Sequence, residues 1–180
     1  MFKYLYPFII VITIGNLTFA SPIPPAPNLN VKAYVLMDFD SGMILASSNK
    51  DLTLPPASIT KMMTAYLAFT ELNENNVSLS EDILVSKKAW KTGGSKMFIE
   101  VGKKIKFKDI LQGVITVSGN DASVALAEHI SGDENTFAIY MNQMAKNIGL
   151  INTNYTNATG LPNDSLYTTA EDIALLSRSL

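Results

Sequence analysis

Cysteine is absent from this 180-residue chain, and histidine occurs once, at His129. Without thiols there is no disulfide, no thiolate zinc site and no thiol nucleophile, and one imidazole cannot assemble a histidine metal cluster. A long basic run is missing as well. The 14 Lys and Arg stand against 16 Asp and Glu, a net charge of -2, so the electrostatic footprint of a nucleic-acid binder is lacking and no such partner is expected. Internal repeats are absent, and 47% apolar with 17% charged residues excludes disordered and collagen-like classes in favour of one globular domain. The chemistry left to the chain belongs to hydroxyl, amine and carboxylate groups, with no metal and no cofactor expected.

The first residues differ from the rest. Lys3 precedes an apolar run from Tyr4 to Ile14, followed by Gly15 and by Thr18-Phe19-Ala20 with small residues at peptidase positions. Residues 1–20 therefore read as a secretory signal peptide. A membrane span needs about 20 apolar residues; this run is shorter, which makes an uncleaved anchor the lesser reading. Residues 21–30 form a stiff leader, because Pro22, Pro24, Pro25 and Pro27 fix φ and remove amide donors. Residues 31–180 form the domain.

Within it, Tyr34 to Asp38 and Met43 to Ser47 are β-prone runs around Phe39-Asp40-Ser41-Gly42, a turn sequence, and together predict a hairpin. The pattern then turns helical over Ser58 to Leu72, apolar around nearly its whole circumference, and over Lys106 to Val117, where Phe107, Ile110, Leu111, Val114 and Ile115 form a stripe. Loops are predicted over Glu71 to Ser80 and Trp90 to Lys96. Further helices are predicted over Ala122 to Ile130 and Glu134 to Ile148, closed by Gly149. A long Asn/Thr-rich connection precedes a last helix, for which Thr168 and Glu171 have capping-box spacing. The fold class is α+β, an antiparallel sheet with a helical cluster. A lone hairpin leaves a sheet face and edges unpaired, so further strands are expected beyond Leu180 and the domain is expected to be incomplete.

Ser58-Ile59-Thr60-Lys61 sets a hydroxyl and an amine three residues apart at the start of a helix, on one face and within reach of each other. A serine hydroxyl is a poor nucleophile near neutral pH, whereas an amine in apolar surroundings can lose its proton and serve as its base; Met62, Met63 and Tyr66 are candidate surroundings. The helix N-terminus and the Ser58 amide could stabilise an oxyanion. The alternative is an N-cap serine with a solvent-facing lysine. Ser47-Ser48-Asn49-Lys50 repeats the spacing, but at a strand end in a polar run, where it reads as a solvated connection. Ser118-Gly119-Asn120, between two apolar helices, offers a hydroxyl to relay a proton and an amide to donate to a substrate carbonyl and accept from Lys61. Its alternative is a loop whose Asn120 caps the following helix.

Pro55 to Thr64 and Ser118-Gly119-Asn120-Asp121-Ala122 resemble the first two signatures of the low-molecular-weight penicillin-binding proteins, the serine D-alanyl-D-alanine carboxypeptidases. The likeness runs from Tyr34 to the helix at Glu171-Asp172-Ile173-Ala174. It implies a penicillin-binding-protein and serine β-lactamase-like fold, with Ser58 as acyl-enzyme nucleophile, Lys61 as proton acceptor, Ser118 as a catalytic partner and Asn120 as a substrate-binding residue. It also implies a peptidoglycan stem peptide ending in D-Ala-D-Ala as substrate, β-lactams as covalent inhibitors, and a place in the periplasm or on the outer face of the cytoplasmic membrane, with membrane attachment through a C-terminal region. Lys91-Thr92-Gly93 spells the family's third motif but precedes Ser118 instead of following it, and reads as a loop; the third motif is expected beyond Leu180. His129 reads as a surface or packing residue. A serine β-lactamase, a peptidoglycan endopeptidase and a truncated non-catalytic remnant are the alternative functions. If the signal is cleaved as read, N-terminal sequencing of protein from the cell envelope returns Ser21 or a close neighbour; a start at Met1 contradicts it.

Overall fold

The computed structural model describes residues 26–180; the signal sequence and the first part of the Pro-rich leader lie outside the described residues. Residues 26–30 are exposed and belong to no helix or strand. Strands β1 (Tyr34–Met37) and β2 (Ile44–Ser48) pair antiparallel with Leu36 opposite Ala46 and a register shift before Met37. The turn forms over the expected stretch, but the aspartate side chain that closes it is Asp38, from the run read as strand, and not Asp40. Asp38 Oδ1 accepts from the Ser41 amide at 2.9 Å, and Gly42 takes a φ of +73°, which a residue with a Cβ would adopt only under strain. Leu36 and Leu45 lie exposed on the hairpin, and helix α6 (Ala170–Ser179) packs on β1.

Helix α1 (Lys61–Asn73), entered through a 3-10 turn at Ala57–Thr60, is the axis of the molecule. Ala65 and Ala68 pack into one core cluster with Phe107, Ile110, Val114, Val124 and Leu126. Met63 and Leu67 pack into a second with Phe137, Met141, Leu150, Tyr155 and Leu176. A helix packed on two sides keeps only a narrow open strip, here Met62 and Phe69 beside the cavity described below, which is why its apolar pattern runs nearly all round.

Around it stand α3 (Phe107–Thr116), α4 (Asn120–Ser131) and α5 (Glu134–Ile148). Helix α5 has the bounds read from the sequence: Asp133 Oδ1 accepts from the Asn135 and Thr136 amides at 2.8 and 3.0 Å, and Gly149 ends it at a φ of +93°.

Four expectations need correction. The hairpin is not the only sheet: β3 (Asp82–Leu84) and β4 (Lys104–Lys106) form a second antiparallel ribbon, too short at three residues per strand for alternation to show. Helix α2 (Lys87–Lys91), capped by Ser86 Oγ accepting from the Ala89 amide at 2.9 Å, enters the stretch read as a loop. The cap of α6 is Thr169, which accepts from the Asp172 amide at 3.1 Å. Thr168 is instead bridged to Leu54 through the backbone and to Thr153 through its hydroxyl. Finally, Ile115 leaves the α3 stripe and is exposed, where it walls the cavity described next.

Candidate active site

Pro55 and Pro56 carry the chain into α1 with φ fixed. The carbonyl of Pro56 accepts from the Ile59 amide at 3.1 Å, and Ala57 sits at a φ of +48°, a left-handed conformation that costs an alanine about 1–2 kcal/mol. Ser58 is thereby held exposed on the 3-10 turn, three residues ahead of Lys61 and on its side of the chain. Its hydroxyl lines a cavity of about 430 Å³ shared with Lys61, Met62, Phe69, Ile115 and Ser118. Of the three residues expected to surround the amine, Met62 is in this wall; Met63 and Tyr66 pack with the second core cluster.

Lys61 Nζ donates to Asn120 Oδ1 and to the Thr159 carbonyl oxygen, each at 2.7 Å, and lies 3.4 Å from Ser58 Oγ. Neither acceptor can donate in return. A neutral amine spends its two hydrogens on them and leaves its lone pair for the Ser58 hydroxyl proton. Lys61 is 5% exposed, and burial brings its pKa down from 10.5 to about 8, since desolvation disfavours the charged form. The 3.4 Å separation is long for a hydrogen bond, as such contacts commonly are without substrate.

Asn120 is the first residue of α4, with Gly119 in the cap position, so it does not cap the helix with its side chain. Its Oδ1 faces Lys61, and its Nδ2 donates to the Gly93 carbonyl at 2.7 Å; these two partners fix the orientation of the amide. The other Nδ2 hydrogen has no partner among the described residues. Lys91-Thr92-Gly93 is thus no strand: Lys91 ends α2, Thr92 caps it, and Gly93 supplies the carbonyl that holds Asn120. Ser118, at a φ of +54°, lines the same cavity, and no hydrogen bond joins it to Ser58 or Lys61 among the described residues. The duplicate spacing leads elsewhere. Ser47 is exposed on β2, and Lys50 pairs with Asp51 and Glu171. His129 Nε2 lies 2.7 Å from Glu81 Oε1 and its ring meets Phe107 edge-on, away from the cavity.

One element escaped the sequence reading. In the connection after α5, Asn157 Oδ1 accepts from the amides of Thr159 and Gly160 at 3.1 and 2.7 Å and from Thr159 Oγ1 at 2.9 Å, building a tight turn. Thr64 Oγ1 donates to the Ala158 carbonyl at 2.8 Å and seats the turn on α1, which delivers the Thr159 carbonyl to Lys61. The turn also touches the residue before Ser58: a Cβ on Gly160 would stand 1.8 Å from the Ala57 carbonyl oxygen. The signal was there in Asn157 followed three residues on by Gly160, a turn signature, but nothing in it names Lys61. If Ser58 is the acyl-enzyme nucleophile that the resemblance implies, Gly160→Ala in the full-length protein should slow its acylation by a penicillin about 100-fold, the effect of displacing a reacting group by about 1 Å; a stopped-flow acylation rate within three-fold of the parent would refute this geometry.

Residues 20–180 match the family described as D-alanyl-D-alanine carboxypeptidase. The chain is similar to D-alanyl-D-alanine carboxypeptidase DacC of Escherichia coli, 40% identical over 161 residues that cover 86% of this chain and 40% of the relative. It is likewise similar to DacF of Bacillus subtilis, 41% identical over 149 residues covering 83% of this chain and 38% of the relative. Among solved structures, D-alanyl-D-alanine carboxypeptidase DacD from Francisella tularensis superposes with a TM-score of 0.85 at 45% identity over 87% of this chain and 38% of that one. Penicillin binding protein 5 from Haemophilus influenzae does so with a TM-score of 0.84 at 40% identity over 87% of this chain and 46% of that one. The chain spans about two fifths of the length of the curated relatives it matches. Matched over nearly its whole length and sharing the fold of the penicillin-binding carboxypeptidases, the chain belongs to the D-alanyl-D-alanine carboxypeptidase family.

Proposed function

We propose that the protein is a serine D-alanyl-D-alanine carboxypeptidase that trims peptidoglycan stem peptides. Ser58 Oγ attacks the carbonyl of the penultimate D-alanine while Lys61 Nζ takes its proton. The terminal D-alanine leaves with a proton relayed by Ser118, and water releases the acyl group from Ser58. The remaining Nδ2 hydrogen of Asn120 binds the substrate carbonyl. β-Lactams acylate the same serine. The observation that carries this reading is the buried Lys61 amine, both of whose hydrogens are engaged by Asn120 Oδ1 and the Thr159 carbonyl, with Ser58 Oγ 3.4 Å away. The apolar run from Tyr4 to Ile14 ahead of Ala20 supports export, and we place the enzyme in the periplasm or on the outer face of the cytoplasmic membrane. No helix among the described residues is long and apolar enough to cross a membrane; attachment through a C-terminal region is part of the same proposal.

In the full-length protein, Ser58→Ala should abolish covalent labelling by a fluorescent penicillin and release of D-alanine from a D-Ala-D-Ala peptide, while Ser47→Ala retains both. Labelling that persists in the Ser58 variant would sink the assignment. The amine also sets a pH dependence. Below about pH 8 Lys61 is protonated and has no lone pair for Ser58; above it the free amine accepts the proton. The acylation rate constant should accordingly fall about ten-fold per unit as pH drops below 8, and a flat rate between pH 6 and 9 would exclude Lys61 as the base.

A further inference from the structure

The two acceptors that hold Lys61 are themselves held from behind. Glu134, the first residue of α5, is buried and reaches out of its helix. Its Oε1 accepts from the Ala158 amide at 3.1 Å, and its Oε2 lies 2.7 Å from Lys88 Nζ. Ala158 immediately precedes Thr159, whose carbonyl accepts from Lys61. Lys88 lies in α2, and Gly93, just past the Thr92 cap of that helix, offers the carbonyl that holds the Asn120 amide. The Thr159 carbonyl is thereby tied to the ion pair through the adjacent Ala158, and Asn120 through Gly93, which follows Lys88 by five residues. Neither Glu134 nor Lys88 is in the wall of the Ser58 cavity.

A carboxylate at a helix start is favoured by the helix dipole and can serve there fully solvated. Burying it costs free energy unless its oxygens are engaged, and here they are engaged by the Asn157–Gly160 turn and by α2. Lys88 is half exposed, so the pair itself contributes little to stability in water. Its other carboxylate neighbour is Asp133, the cap of α5. What the burial secures is position.

We propose that Glu134, with Lys88 as its counter-ion, is a positioning residue that locks the Asn157–Gly160 turn and α2 together, so that the Thr159 carbonyl and Asn120 Oδ1 meet the Lys61 amine at once. This rests on the reading of Lys61 as the base for Ser58. With the Glu134 oxygen gone, the turn loses its anchor, the Thr159 carbonyl withdraws and water reaches the amine. Desolvation is the cause of the lowered Lys61 pKa, so the amine then returns toward its ordinary value, and the acid limb of acylation moves to higher pH. A loss of stability alone does not move that limb.

The test compares Glu134→Ala, the volume-filling Glu134→Leu and the oxygen-retaining Glu134→Gln in the full-length protein. Each is read by acylation rate with a fluorescent penicillin from pH 6 to 10 and by thermal unfolding. The Ala and Leu variants should acylate at least ten-fold more slowly at pH 7, with the limb displaced upward by half a unit or more, and Glu134→Gln should recover the parent limb. A folded Ala or Leu variant with parental rate and limb overturns the proposal, and so does failure of both to fold, which would leave Glu134 a residue of stability alone. Ser58→Ala serves as the control: labelling that persists there condemns the nucleophile, whereas loss of labelling there alongside a parental Glu134→Ala condemns only the positioning role.

Discussion

An ammonium group removed from water must either be surrounded by acceptors or give up its proton. Lys61 is placed between these outcomes: 5% exposed, its pKa drawn down to about 8, with two oxygen acceptors at 2.7 Å. Two acceptors suit a neutral amine. A third would favour the cation, and fewer would leave the nitrogen free to turn away from Ser58. Much of the domain can be read as the means of bringing an asparagine oxygen and a backbone carbonyl, 59 and 98 residues distant in sequence, to one nitrogen.

The means is a helix with two cores. Because α1 is packed on one side by α3 and α4 and on the other by α5, α6 and the connection between them, its first turn lies where the two halves meet. Asn120 arrives from the first half, at the start of α4, and the Thr159 carbonyl from the second. Close packing transmits placement in such an interior, since few voids exist to absorb a shift. The turn at Asn157–Gly160 illustrates this: seated by Thr64, it bears on the Ala57 carbonyl so closely that only a glycine fits at 160.

Local chemistry explains what could be read in advance. The hairpin followed from Asp40, Ser41 and Gly42 between two β-prone runs, and the end of α5 from Gly149, because turns and caps are satisfied within a few residues. Where the deciding contact is remote, reading failed. Thr168 and Thr169 are chemically the same candidate cap, and the choice is made by the bridge between Thr168 and Leu54, 114 residues apart in sequence. The β3–β4 ribbon has three residues per strand, too few for a period of two to declare itself.

The sequence by itself carried the α+β order of elements and the candidate pairs Ser58 with Lys61 and Ser118 with Asn120, because each of these is written in residue type and short spacing. It could not separate Ser58 and Lys61 from Ser47 and Lys50, which share that spacing, except by the company each keeps. Tertiary structure decided that Lys50 would pair with Glu171 and Lys61 with Asn120. It alone made a backbone carbonyl at Thr159 and the Gly93 carbonyl part of the site, because a peptide oxygen is the same in every residue and acquires a role only through where the fold delivers it.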